Sequence, residues 1–86
     1  MISVLYKPTF LRQYDQLPKE LKEEIRERIA RFQRNPRLPQ LRTHKLKGSL
    51  KGFLSFSVNY RYRIVFQWEN RSTVVLLTVG DHDVYQ

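Results

Sequence analysis

The sequence predicts an α+β fold: an N-terminal strand, then a helical hairpin packed on one face of a small, mainly antiparallel sheet of about four strands. Apolar residues recur at helical spacing in the first half of the chain, and they alternate with polar residues in the second half. The chain has 86 residues, of which 41% are hydrophobic, and this composition suits a folded protein. We therefore expect a single domain over residues 1–86 with one modest core.

The first elements are a short strand and a short helix. Residues 2–6 are a β-branched and aromatic run that Pro8 ends, which is typical of a strand. Thr9 has a side chain suited to capping a helix that continues to Gln16. Pro18 interrupts this helix and is expected in the first turn of the next one.

Residues 19–34 predict the longest helix. Glutamates lie in its first turns and arginines in its last turns, which is the order that the helix dipole favours. Asn35 and Pro36 end it. Its apolar stripe, which needs a sheet to cover it, consists of Leu17, Leu21, Ile25, Ile29 and Phe32.

The second half of the chain predicts three strands after a loop. The strands occupy residues 53–58, 62–68 and 73–79, and turns at residues 59–61 and 69–72 join them. The third strand is the most apolar, which predicts a central position in the sheet.

The alternation also predicts which side chains share a face of the sheet. Arg63 lies on the face opposite the apolar side chains of its own strand, and Gly80 is expected to end the third strand. We expect the face that bears Arg63 to be free for binding. The side chains predicted on the apolar sides of the first two of these strands are Leu54, Phe56, Val58, Tyr62, Ile64, Phe66 and Trp68.

Positive charge is concentrated in the middle of the chain. The net charge is +8, and no Asp or Glu occurs between Glu27 and Glu69. Such a field attracts polyanions, and its alternation with strand residues predicts a phosphate-binding surface. A solvated basic surface is the other interpretation. The Lys and Arg residues in this acid-free segment are Arg28, Arg31, Arg34, Arg37, Arg42, Lys45, Lys47, Lys51, Arg61 and Arg63.

Several classes of site are absent from the sequence. Without cysteine there is no disulfide, thiolate metal site or thiol nucleophile, which fits a reducing cytoplasmic location. The apolar start is too short for a signal peptide, and no apolar run approaches the ~20 residues of a membrane span. Gly48 and Gly52 do not follow a strand-to-helix junction, so they are not a phosphate-binding loop. The two histidines lack metal-ligand spacing, and we expect neither a metal nor a cofactor.

Cleavage of RNA without a metal is the reaction that these residue types support. The ribose 2′-hydroxyl attacks the adjacent phosphate, so a base, a cationic clamp and an acid are needed. Histidine transfers protons near neutral pH, arginine grips phosphate, and aromatic rings stack on bases. Each candidate also has a structural interpretation. His82 suits an exposed tail, the lysines suit solubility, Tyr62 suits the core, and Tyr60 suits an exposed turn.

Four segments of the chain together resemble the RelE/ParE superfamily of toxin–antitoxin toxins. They are KPTFLRQYDQLPKELKEEI, HKLKGSLKGF, VNYRYRIVF and VVLLTVGDHDVY, in the expected order. The resemblance implies a compact α+β toxin that a cognate antitoxin neutralises. RelE-like members are metal-independent endoribonucleases that cut mRNA in the ribosomal A site. ParE-like members share the fold but poison DNA gyrase.

The resemblance assigns the phosphate-binding residues one by one. Arg63 matches the arginine that stabilises the scissile phosphate. Lys45 and Lys47 match lysines that contact phosphate or help to activate the 2′-hydroxyl, and Lys51 extends this basic track. Arg61 is assigned a phosphate contact in the turn.

The resemblance also assigns proton transfer. His82 matches a general acid, and Tyr85 matches an aromatic residue that stacks on a base or relays a proton. His44 is a second candidate for proton transfer. The segment from His82 to Tyr85 is one residue shorter than expected, and Asp81 and Asp83 flank the histidine.

Three functions remain open at this point. The first is a ribosome-dependent mRNA endonuclease, with mRNA, the ribosome and an antitoxin as partners. The second is a ParE-like gyrase inhibitor without nuclease activity, in which the histidines are dispensable. The third is a basic nucleic-acid-binding module that neither cuts RNA nor stops growth. An acidic, partly disordered antitoxin is expected to cover Arg63 and the lysines.

Overall fold

A computed structural model describes residues 1–48 and 52–81. Two helices pack on one face of a five-stranded mixed sheet with the order β1-β5-β4-β3-β2, so the predicted α+β class is confirmed with one more strand than expected. The elements are β1 (Ser3–Tyr6), α1 (Pro8–Asp15), α2 (Lys19–Arg34), a 3-10 helix (Pro39–Leu41), β2 (His44–Lys45), β3 (Leu54–Ser57), β4 (Tyr62–Asn70) and β5 (Thr73–Asp81).

The helical hairpin agrees with the sequence prediction except in the residues that cap or begin its two helices. Helix α2 has the predicted bounds. Helix α1 begins at Pro8, with Lys7 in the capping position, so the prediction that Thr9 caps it is wrong. Proline suits the first helical position because its φ is already helical and its missing N–H has no partner to lose. Pro18 lies one residue before α2, in the capping position, rather than in its first turn.

The sheet differs from the prediction at both edges. Strand β1 pairs in parallel with β5, which makes β5 an interior strand and β4 the middle one. Strand β2 was not predicted, because two residues are too few for a periodic pattern and its partners lie on β3. Strand β5 continues past Gly80, since Tyr62 and Arg63 pair with Asp81 and Gly80. The prediction that Gly80 ends this strand is therefore wrong.

Three phenylalanines join the helical hairpin to the sheet. The ring of Phe32 on α2 stacks on that of Phe56 on β3, with 4.2 Å between centroids, and meets Phe66 on β4 edge-on at 4.9 Å. All three are fully buried. Leu54, Val58, Ile64 and Tyr62 lie in this core or pack against it, as the alternation predicts.

The face of the sheet away from the helices is only partly open. Ser55, Val65 and Val75 lie on this face and are 1%, 3% and 6% exposed. The prediction of a free face is therefore corrected to a face that is half-buried at Arg63, buried at Val65 and exposed at Gln67. Within the described ranges, no helix is both long and apolar enough to span a membrane.

Candidate functional site

His44 and Arg63 meet on the face of the sheet away from the helices. In the register of the sheet, His44 lies opposite Ser55 and Arg63 lies opposite Ser57, which puts both side chains on this face. The Nη1 atom of Arg63 is 3.4 Å from Nε2 of His44. Two residues that are 19 positions apart in sequence thus form one pair, with a cation beside a group that can transfer protons.

The contact made by Nδ1 of His44 determines which of the two ring nitrogens can accept a proton. Nδ1 lies 3.0 Å from the carbonyl oxygen of Arg42. Because a carbonyl oxygen only accepts, Nδ1 carries the hydrogen in this contact. In the neutral ring Nε2 then has a lone pair, and it accepts from Arg63. Arg42 itself has a left-handed backbone conformation, with φ of 50°, where the chain leaves the 3-10 helix.

A polar cleft of about 240 Å³ lies beside this pair. Strand β2 pairs with Leu54 and Ser55 only, so the cleft lies next to the part of β3 that β2 leaves unpaired. Among the residues that the structure describes, no Asp or Glu lines it. The lining residues are Arg28, Gln40, Arg42, Ser57, Asn59, Tyr60 and Arg63.

The turn between β3 and β4 forms one wall of the cleft and is organised by Asn59. Its Oδ1 accepts hydrogen bonds from the backbone N–H groups of Arg61 and Tyr62, both at 2.8 Å. Its Nδ2 donates to Oε1 of Glu24 on α2, also at 2.8 Å. These bonds confirm the predicted turn and leave Tyr60 at its tip, 93% exposed.

The predicted lysines lie elsewhere. Lys45 is paired with Leu54, which packs against the core, so it is on the side of β2 opposite His44. Lys45 and Lys47 line a separate cleft of about 590 Å³ near two glycines. The glycines have positive φ values of 69° and 97° at Gly48 and Gly52. The structure therefore does not bring Lys45 or Lys47 to the His44–Arg63 pair, and their phosphate contacts stay a prediction.

Arg61 is paired within the protein. Its Nε donates to Oδ2 of Asp81 at 2.7 Å, and this hydrogen bond together with the carboxylate charge raises the pKa of the guanidinium above its usual value. A phosphate contact by Arg61 would compete with Asp81. The predicted roles of Lys51, His82 and Tyr85 lie outside the described residues.

Three cleft residues received no site role from the sequence. Arg28 and Arg42 belong to the acid-free basic segment, which was the only signal that pointed to them. The spacing of residues along α2 does not indicate that the side chain of Arg28 extends to the edge of the sheet. For Tyr60 the sequence predicts an exposed aromatic residue in a turn, and the structure places it there. Within residues 1–48 and 52–81, no group of three or more His, Asp or Glu side chains is arranged to hold a metal ion.

Comparison with known proteins gives one family and one fold. The model of the family described as ParE toxin of type II toxin-antitoxin system, parDE, matches residues 4–84. No curated protein matches the chain significantly.

Several solved toxin structures have the same fold. YafQ from E. coli is 15% identical, with a TM-score of 0.78 over 98% of this chain and 97% of that chain. A chain of the toxin–antitoxin complex RelBE2 from Mycobacterium tuberculosis is 24% identical, with a TM-score of 0.77 over 93% and 96%. A chain of the YoeB–YefM complex from Staphylococcus aureus is 21% identical, with a TM-score of 0.72 over 95% and 98%. At these identities the likeness concerns the fold.

Proposed function

This chain belongs to the ParE toxin family of type II toxin–antitoxin systems, within the RelE/ParE superfamily, and we propose that it is a toxin that cleaves mRNA without a metal, in the ribosomal A site. The observation that carries this proposal is the contact between Arg63 and His44, with Nη1 3.4 Å from Nε2. It combines a phosphate-binding cation and a proton acceptor, which are two of the three groups that the reaction needs.

In the proposed reaction Arg63 holds the scissile phosphate through its guanidinium. When Arg63 turns to the phosphate it frees the lone pair on Nε2 of His44, which takes the proton of the 2′-hydroxyl, and the 2′-oxygen attacks phosphorus. The bond from phosphorus to the 5′-oxygen breaks, which leaves a 2′,3′-cyclic phosphate and a 5′-hydroxyl. A second proton must reach the leaving 5′-oxygen, and His82 is our proposed donor. Tyr85 is proposed to stack on a base.

A gyrase inhibitor without nuclease activity is the second candidate function. The match to the ParE family model favours it. In that case the toxin acts by binding a protein, and neither His44 nor Arg63 takes part in a chemical step.

A cognate antitoxin is the proposed partner of this toxin. Support comes from an apolar groove of about 840 Å³ between the end of α2 and β4, whose lining includes the partly exposed Trp68 as well as Arg37 and Arg71. An acidic antitoxin segment with apolar side chains would match both Trp68 and the two arginines. Trp68 is five residues from Arg63 along β4, about 17 Å, and on its opposite face.

The experiment that tests the proposal is brief induction in a bacterial host, followed by mapping of mRNA 5′ ends. The wild type is expected to give new cuts inside translated regions. Arg63→Ala should abolish them, and His44→Gln should reduce the cleavage rate by about 10²–10⁴-fold because it removes the proton acceptor. Arg34→Gln is the matched control, since it removes a charge from an exposed part of α2 outside the cleft.

Three results would contradict the proposal in different ways. Growth arrest with intact transcripts and altered DNA supercoiling would favour the gyrase inhibitor. Cuts that persist at wild-type rates in both site variants would place the nuclease site elsewhere. Absence of growth arrest would leave a nucleic-acid-binding module or an inactive toxin.

A further inference from the structure

We propose that Arg28 and Arg42 form a second phosphate subsite beside Arg63, which holds a neighbouring phosphate of the bound RNA strand. This rests on the proposed RNA substrate and adds two residues that position the strand without touching the reacting atoms. Arg28 comes from α2, Arg42 from the end of the 3-10 helix and Arg63 from β4, and all three line the same cleft.

Arg28 has hydrogen-bonding capacity that the described residues leave unfilled. Its side chain is only 19% exposed, and its Nε is buried with no hydrogen-bond partner in the described part of the chain. Nε forms an ion pair with Oε1 of Glu27 at 3.6 Å, a distance too long for a hydrogen bond, while the other oxygen of Glu27 pairs with Arg31. A mostly buried guanidinium is costly unless it is paired and hydrogen-bonded. The cleft that it lines is where an anion can supply the missing interactions.

The carboxylate on the adjacent turn of α2 is engaged elsewhere. Glu24 lies four residues before Arg28, but its Oε1 accepts the hydrogen bond from Asn59 and it does not line the cleft. The three arginines therefore converge where no described acid contributes to the lining. Such convergence is repulsive in the free protein and becomes favourable when an anion binds.

The residues that line the site favour a phosphodiester strand over a single small anion. The planar guanidinium matches two phosphate oxygens at once. Tyr60 stands at the same cleft with 93% of its surface exposed, and it offers a ring on which an unpaired base can stack. The subsite adjoins the His44–Arg63 pair, so a strand bound there is held next to the cleavage site.

Binding of a non-cleavable RNA tests this subsite separately from catalysis. A fluorescent single-stranded 2′-O-methyl oligoribonucleotide has no free 2′-hydroxyl, so its anisotropy reports binding alone. We would titrate it with wild type, Arg28→Gln, Arg42→Gln and Arg34→Gln over a series of salt concentrations. Each cleft variant is expected to bind about tenfold more weakly at low salt. Its slope of log K against log salt should be shallower by about 0.7, since one phosphate contact is lost. The Arg34→Gln control should keep the wild-type slope.

The outcomes separate the subsite from the proposed reaction. Unchanged slopes in both cleft variants, or an equal loss in Arg34→Gln, would overturn the subsite. A parallel titration with polyglutamate that responds to Arg28 and Arg42 while RNA does not would also overturn it, in favour of an acidic protein. Arg28-dependent RNA binding by a protein that cuts no mRNA would reject the reaction and keep the subsite. If circular dichroism shows that Arg28→Gln is unfolded, the exposed Arg42→Gln variant decides.

Discussion

His44 contacts two neighbours, which give its two ring nitrogens different roles: Nδ1 donates a hydrogen bond and Nε2 accepts one. The carbonyl of Arg42 takes the Nδ1 hydrogen, and Arg63 faces Nε2. Both neighbours are more than one residue away in sequence, and only the pairing of β2, β3 and β4 brings Arg63 close. The proposed chemistry therefore depends on the register of the sheet as much as on the identity of the residues.

Ser55 lies beside His44 on the same face of the sheet and has a polar group without a partner in the described residues. It is opposite His44 in the register and 1% exposed, and its Oγ has no hydrogen-bond partner in the described residues. A buried polar group without a partner lowers stability by about 1–3 kcal/mol. Ser55→Ala is therefore expected to raise the free energy of unfolding by about 1 kcal/mol, or about 4–8 °C in Tm.

Thermal unfolding followed by circular dichroism measures this effect. Ser72→Ala is the matched control, because Ser72 is exposed and its Oγ donates to Asn70 at 3.2 Å. No gain is expected there. A loss of stability in Ser55→Ala would mean that the hydroxyl makes a favourable interaction in the folded protein.

At the scale of elements, the contact between α2 and the sheet determines whether the cleft exists. Arg28 reaches the cleft from α2, and the rest of the lining comes from the 3-10 segment, the end of β3, the β3–β4 turn and the start of β4. Phe32, one turn after Arg28, anchors α2 to β3 and β4 through its stacked and edge-on contacts with Phe56 and Phe66. The packing of Phe32 in the core therefore also fixes the position of Arg28 in the cleft.

Phe32→Ala should weaken this docking severely. Removing a buried phenylalanine lowers stability by about 3–5 kcal/mol. That is a large part of the about 5–15 kcal/mol typical of a native protein. Urea denaturation of the purified toxin measures the loss. Leu11→Ala is the control on the other helix: Leu11 is 50% exposed, so its truncation should change stability much less. Equal losses in the two variants would contradict the assignment of Phe32 as the main contact between α2 and the sheet.

At the scale of the whole molecule, β4 separates two surfaces. The His44–Arg63 pair and the basic cleft lie near its first residues, and the aromatic groove lies near its last ones. A partner that fills the groove need not contact Arg63 to bind tightly, and a longer segment could continue across the molecule to cover the cleft. The net charge of +8 favours acidic segments at both places.

The groove prediction has a built-in reporter, because Trp68 is the only tryptophan in the chain. It lies in the groove and is 37% exposed. Binding of a tryptophan-free cognate antitoxin is expected to shift the Trp68 emission to shorter wavelength as water is excluded. The Arg63→Ala toxin should give the same shift and serves as the control. Complex formation on gel filtration with unchanged emission would place the antitoxin elsewhere, such as on Arg63 and the lysines.

Much of the fold was readable from local patterns. The bounds of α2, the turn at Asn59 and the faces of β3 and β4 follow from periodicity and turn chemistry within a few residues of each position. The start of α1 and the end of β5 were not readable in this way. A proline can end a strand or begin a helix, and a glycine can end a strand or lie within it, and contacts elsewhere in the fold decide between these. Strand β2 and the parallel β1–β5 pair depend on partners far away in sequence, which no local pattern contains.

The candidate site divides in the same way. The sequence by itself determined the inventory: the acid-free basic segment, His44, Arg63 and the membership in a toxin family that residues 4–84 match. Only the tertiary structure decided which of these residues meet. In the structure His44 contacts Arg63, Lys45 lies on the other side of β2, and Arg28 of α2 lines the cleft. The physical reason is that strand register and helix docking are set by burial of the common core, so residues distant in sequence become neighbours only once that core has formed.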